Sequence, residues 1–132
     1  MKRIGILITA LCCILFLVGC SAQETAADDL VSALKERGFS VNVTESVSLE
    51  DAGPDLGAYR IDQLEIGEDK ATLYFFKSGE ELVKGMAAWR DIEALALFSG
   101  VPNLYYTDSM LLITIGASEE LLDALDKLWQ PV

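Results

Sequence analysis

The sequence predicts an α+β domain: an antiparallel sheet built of two hairpins, with about three helices packed on one face. Three observations support this fold class. Apolar residues recur at helical spacing in three segments of the chain. Two pairs of strand-like runs, each joined by a short polar turn, lie between those segments. No β-α-β pattern with dinucleotide-type glycines repeats, so an antiparallel sheet is favoured over a parallel one.

The first helix is predicted from Ala26 to Arg37. Thr25 is the expected N-cap, and Asp28 stands three residues after it, as in a capping box. Gly38 is expected to end the helix as a left-handed cap. One apolar face has helical spacing and predicts the side that packs on the sheet: Ala27, Leu30, Val31 and Leu34.

The strands are predicted from alternation and turn residues. A short strand is expected at Phe39–Thr44, followed by a loop over residues 45–57. The first hairpin combines Ala58–Ile66 with Ala71–Lys77, and the second combines Leu104–Thr107 with Met110–Ile115. Both faces of the strand after residue 71 are apolar, so we expect one face to be buried and the other partly covered.

Two further helices follow the hairpins. Ser78 begins a capping box, and the helix after it carries apolar residues along one side: Leu82, Val83, Met86 and Trp89. Leu95–Phe98 is either its last turn or a short strand. Ser118 is the expected N-cap of the final helix, whose apolar face is Leu121, Leu122, Leu125, Leu128 and Trp129.

The N-terminal segment has the organisation of an export signal. Lys2 and Arg3 precede an apolar run, Ile4–Val18, whose length suits a signal of about 7–15 apolar residues and falls short of the ~20 that a membrane-spanning helix needs. The run ends in Leu17-Val18-Gly19-Cys20. This ending resembles the lipobox of bacterial lipoproteins.

The resemblance implies a specific modification. The sulfur of Cys20 would carry a diacylglyceryl group, and cleavage would fall between Gly19 and Cys20. Two acyl chains anchor a protein stably, whereas one anchors it only marginally. The expected location is therefore the extracytoplasmic side of a cell membrane, with the bilayer as partner through Cys20. An uncleaved membrane anchor and a chance cysteine are the alternatives.

This interpretation divides the chain into three parts: residues 1–19 as signal peptide, 20–25 as a short lipid-anchored linker, and 26–132 as one domain. Cys12 and Cys13 would leave with the signal, so the mature domain has no disulfide. Removing Lys2 and Arg3 leaves eight cations against 21 acids, a formal charge of −13 in place of −11. This balance argues against nucleic acid, because phosphate binding needs a basic surface.

The composition also excludes several kinds of chemistry. The chain has no histidine, so triads and histidine-bearing metal sites are impossible. We expect no cofactor and no metal site. Glu50, Asp51 and Asp55 surround a Gly-Pro turn, but their spacing fits no EF-hand, and a solvated acidic loop is favoured over calcium binding. We therefore expect a protein that is not an enzyme.

Tyr105 and Tyr106 are the candidate partner-binding residues, since neighbouring rings on a strand point to opposite faces and exposed aromatics often anchor partners. The segments Val101–Tyr106, Leu111–Gly116 and Glu119–Leu125 resemble the C-terminal end of small uncharacterised lipoproteins of Gram-positive bacteria. That group carries no assigned activity.

The leading hypothesis is a membrane-anchored, non-enzymatic binding or accessory domain with an envelope protein as candidate partner. The alternatives are a small envelope enzyme that uses only carboxylates, and an acidic inhibitor or immunity-type protein.

Overall fold

The structure is a computed structural model that describes residues 22–95 and 100–132. Within these residues the chain is α+β, with a six-stranded antiparallel sheet and four helices. The elements in chain order are α1 (22–36), β1 (Val41–Thr44), α2 (Leu49–Ala52), β2 (Arg60–Ile66), β3 (Asp69–Phe75), α3 (Gly79–Leu95), β4 (Pro102–Thr107), β5 (Met110–Ile115), α4 (Glu119–Leu128) and β6 (Gln130–Pro131).

The sheet has the strand order β1-β2-β3-β5-β4-β6, and every neighbouring pair is antiparallel. Both predicted hairpins are present, as β2–β3 and β4–β5. They join through β3 and β5, where Leu73 lies opposite Leu112. The two edge strands, β1 and β6, have four and two residues, and short edges leave few unpaired backbone groups for unwanted pairing.

The helices cover both faces of the sheet, so the expectation of all helices on one face is wrong. Helices α1 and α4 pack over the face that contains Leu73 and Leu112. Helix α3 and the segment around α2 pack over the opposite face, which contains Tyr74 and Leu111. The physical reason lies in β3 and β5, whose side chains are apolar on both faces and would leave a large apolar surface in water if only one face were covered.

Helix α1 extends further toward the N-terminus than its sequence pattern predicts. Residues 22–25 are already helical, although the sequence predicts a linker and an N-cap there. Its C-terminal end follows the prediction: Gly38 has a φ of +93°, and the backbone N–H of Phe39 donates to the carbonyl of Leu34 at 3.0 Å. The described part of α1 therefore includes residue 22, two positions after Cys20.

Helices α3 and α4 also follow their N-terminal signals. The hydroxyl of Ser118 accepts a hydrogen bond from the backbone N–H of Leu121 at 3.3 Å. In α3 the Ser78 hydroxyl accepts from the backbone N–H of Glu81 at 3.2 Å. Leu82 and Trp89 are buried as expected, whereas Val83 is 60 % exposed. Of the segment Leu95–Phe98, only Leu95 lies within the described residues, as the last residue of α3.

Candidate functional site

The sheet has two ends, the Arg60 end and the Asp69 end. At the Arg60 end, Arg60 lies opposite Phe75, and Phe75 lies opposite Met110. At the Asp69 end, Asp69 lies opposite Ile66. Helix α1 starts at the Arg60 end, as the contacts of Gln23 show, and returns the chain to the Asp69 end, where the backbone N–H of Gly67 donates to the carbonyl of Ser40 at 2.8 Å.

Gln23 attaches the start of α1 to the Arg60 end. Its Nε2 group donates to the backbone carbonyl of Phe76 at 2.8 Å and to the hydroxyl of Ser109. Its Oε1 accepts a hydrogen bond from the hydroxyl of Tyr59. One half-buried amide thus contacts Phe76 directly after β3, Ser109 in the β4–β5 turn and Tyr59 directly before β2. The residues that directly follow Cys20 and Ser21 are therefore held on the folded domain.

Arg60 forms a second attachment beside the first. Its Nε and Nη2 donate to the two carboxylate oxygens of Asp62, each at 3.0 Å, and its Nη1 donates to Glu24 at 3.0 Å. Its Nη2 also lies 3.6 Å from a carboxylate oxygen of Glu45. The guanidinium also lies over the ring of Phe75, 4.8 Å from its centroid. The hydrogen bonds to Asp62 are the main reason that the pKa of Arg60 is raised, against a smaller opposing effect of burial.

Asp62 is a buried charged residue, only 3 % exposed. Besides Arg60, its carboxylate accepts a hydrogen bond from the backbone N–H of Ser46 at 2.9 Å. A buried carboxylate is stable only when paired and hydrogen-bonded, and these donors meet that requirement. Asp62 therefore fixes Arg60, and Arg60 in turn fixes Glu24 of helix α1.

A cavity of about 400 Å³ adjoins this cluster. Arg60 lines it, but the cation is already surrounded by three carboxylates of its own chain, so the cavity offers an incoming anion no free positive group on Arg60. The arrangement therefore suits a contact that holds helix α1 on the sheet. Its lining residues are Glu24, Ala27, Asp28, Val31, Val43, Glu45, Arg60, Asp62, Leu64 and Leu73.

The acidic turn after α2 serves local structure. Asp55 accepts a hydrogen bond from the backbone N–H of Gly57 at 2.9 Å, and Asp51 accepts one from the Ser48 hydroxyl at 3.0 Å. Across residues 22–95 and 100–132, no group of three or more Asp, Glu, His or Cys side chains is placed to hold a metal ion. Within the same ranges, no helix is both long and apolar enough to cross a membrane.

The predicted site residues fall in three environments. Gly19 and Cys20 lie outside the described residues, so cleavage and lipidation stay predictions. Tyr105 is 3 % exposed and belongs to the core under α1 and α4. Tyr106 is half-buried on the opposite face, packed against the core under α3. Partner binding through these two rings stays a prediction, in which Tyr106 is the more accessible.

Burial of Tyr74 and Tyr105 has a measurable consequence. Desolvation raises the pKa of each to about 12, and for Tyr105 a hydrogen bond with Asp126 adds to the effect. In an unfolded chain both phenols ionise near pH 10. As the pH rises, these two tyrosines therefore lose their protons first in the unfolded state. The free energy of unfolding is unaffected by them below pH 10 and falls as the pH rises toward 12.

We expect the native protein at pH 11 to absorb less at 295 nm than the urea-denatured protein, by the tyrosinate signal of these two rings. Absorbance titration measures the difference, with tryptophan emission as the check on folding. A Tyr105→Phe variant should reduce the gap by one ring. Equal absorbance of native and denatured protein at that pH would contradict the prediction.

Gln23, Arg60 and Asp62 are the residues that sequence reasoning missed. The sequence pattern places Gln23 in the linker over residues 20–25, and it places Arg60 and Asp62 inside the predicted strand Ala58–Ile66 without assigning them a role. One signal was available: Asp62 lies between Ile61 and Gln63 in a strand whose apolar residues form the core. A charge in such a strand needs a nearby partner, and Arg60 lies two residues away on the same face.

Comparison with protein-family models, with curated proteins and with solved structures found no match to this chain. Its functional interpretation therefore rests on its own residues and geometry.

Proposed function

We propose that this chain is a bacterial lipoprotein precursor whose mature form is anchored through lipid on Cys20 to the extracytoplasmic face of the cell membrane. The observation that carries the proposal is the order of Lys2 and Arg3, an apolar run, and Leu17-Val18-Gly19-Cys20. Helix α1 includes residue 22, and Gln23 is bound to the sheet, which is compatible with a boundary directly before Cys20.

The anchored domain is proposed to be a non-enzymatic binding or accessory module, with an envelope protein as the candidate partner. Its buried carboxylate supports this choice. Asp62 is occupied by Arg60 and by the Ser46 backbone N–H, and is therefore committed to holding the fold rather than free for proton transfer.

The anchor is tested by mass spectrometry of the membrane fraction. We expect an N-terminal peptide that starts at Cys20 and carries a diacylglyceryl group. A Cys20→Ala variant should lose the lipid, and the protein should appear in the medium or stay unprocessed, because only the acyl chains supply stable membrane affinity.

Cys13→Ala is the matched control, since Cys13 lies inside the apolar run and has no acylation role. This variant should be processed and anchored like the parent chain. A Cys20→Ala protein that has lost its N-terminal apolar run and still stays as firmly membrane-bound as the parent would overturn the proposal.

A further inference from the structure

An exposed apolar surface lies beside the residues that follow Cys20. Val47, Leu49 and Tyr59 line one shallow depression of about 300 Å³ at the Arg60 end of the sheet. Leu49 is 47 % exposed and Tyr59 is 52 % exposed. We refer to these three residues as the Tyr59 patch. Most other large apolar side chains of the domain are buried in its two cores. Exposed apolar side chains that share one surface are typical of a site that contacts a partner or a membrane.

Tyr59 connects this patch to the N-terminal segment. Its hydroxyl donates to Gln23, and its ring packs against Phe75 with centroids 6.4 Å apart. The ring is therefore held in position although half of it is exposed. Such a side chain, apolar along its body and polar at its tip, is typical of the boundary between lipid and water.

Chain length limits how far the patch lies from Cys20. Gln23 is three positions after Cys20, and a fully extended chain spans at most about 3.6 Å per residue, so the two Cα atoms lie no more than roughly 11 Å apart. The lipid attached at Cys20 places that residue at the membrane surface. The tether therefore brings the Arg60 end toward the bilayer.

The opposite end of the sheet lies about one strand length farther from the tether. Strand β2 has seven residues. At about 3.3 Å per residue the strand is roughly 20 Å long, which separates the two ends. Val101, which is 71 % exposed, lies at the Asp69 end, where its carbonyl accepts a hydrogen bond from the backbone N–H of Gly116 at 3.0 Å. Exposed apolar residues thus exist at both ends, but the tether brings only one end to the lipid.

We propose that the Tyr59 patch rests on the surface of the anchoring bilayer, at the boundary between headgroups and acyl chains, and so fixes the orientation of the domain. This inference depends on the proposed lipid at Cys20. Acidic residues flank the patch, among them Glu50 and Asp51, and they would be repelled by anionic headgroups. The proposed contact therefore needs a surface that is poor in anionic headgroups, and the domain would stand with its Asp69 end away from the membrane.

The test uses the lipidated protein in phosphatidylcholine vesicles, with and without bromine atoms on the acyl chains. Leu49→Trp places an indole in the patch, and Val101→Trp places one at the far end. Trp89 and Trp129 are buried, at 2 % and 8 % exposure, and supply a background measured on the parent protein. We expect brominated lipid to remove about half or more of the emission that Trp at position 49 adds, because an interfacial indole lies within reach of the bromines.

The Val101→Trp protein is the matched control, and its added emission should be the same in both kinds of vesicle. Flotation of the vesicles and the mass of the N-terminal peptide are recorded on the same samples. Anchored protein in which both indoles are quenched equally, or neither is quenched, overturns the orientation while leaving the anchor intact. Protein that does not float with the vesicles and lacks the diacylglyceryl mass overturns the anchor and the orientation together.

Discussion

Replacing Arg60 by Met should destabilise the domain by about 3 kcal/mol, the lower end of the range for breaking a buried ion pair. Asp62 would then keep its carboxylate buried with only the Ser46 backbone N–H as a donor. We choose the lower end because the Arg60 side chain is still 19 % exposed. The free energy of unfolding, from urea denaturation followed by tryptophan emission, measures the effect.

Two further variants make this prediction specific to the Arg60–Asp62 pair. Glu45→Gln removes a carboxylate that is 71 % exposed and 3.6 Å from Arg60, so it should cost less than about 1 kcal/mol. The double variant Arg60→Met/Asp62→Leu should recover most of the lost stability, since it removes the isolated buried charge. An Arg60→Met protein as stable as the parent would show that this pair does not hold helix α1 on the sheet.

Leu111→Ala and Leu112→Ala should each lower the free energy of unfolding by about 2–5 kcal/mol. These neighbouring side chains are both fully buried, but they point to opposite faces of β5. Each substitution therefore leaves a cavity in a different core. An arrangement with helices on one face only would make one of the two substitutions costly and the other nearly harmless.

The control for this pair is Ile115→Ala in the same strand. Ile115 is 42 % exposed, so its truncation should cost less than about 1 kcal/mol, as is usual away from the core. Urea denaturation of the three variants under one set of conditions gives the comparison. A large loss for Leu112→Ala together with no loss for Leu111→Ala would contradict a second core beneath α3.

The local elements were predictable because their signals lie close together in the chain. The β2–β3 and β4–β5 hairpins follow from alternation and short turns, and Ser118 caps α4 as its sequence pattern indicates. Strand β6 gave no such signal: Gln130–Pro131 is too short to show alternation, and it forms by pairing with Tyr105 and Tyr106. The start of α1 was mispredicted because Thr25 and Asp28 have the spacing of a capping box, whereas Thr25 lies inside the helix.

By itself, the sequence determined the α+β class and the two hairpins, and its lipobox-like ending at Cys20 is the basis of the proposed anchor. The tertiary structure decided that helices cover both faces of the sheet. It also decided that Gln23 and Arg60 hold α1 against one end of that sheet. Gln23 meets Tyr59, Phe76 and Ser109 across separations of 36, 53 and 86 residues. Contacts of that range have no periodicity to reveal them, since they exist only once the packing of both cores has brought distant strand ends together.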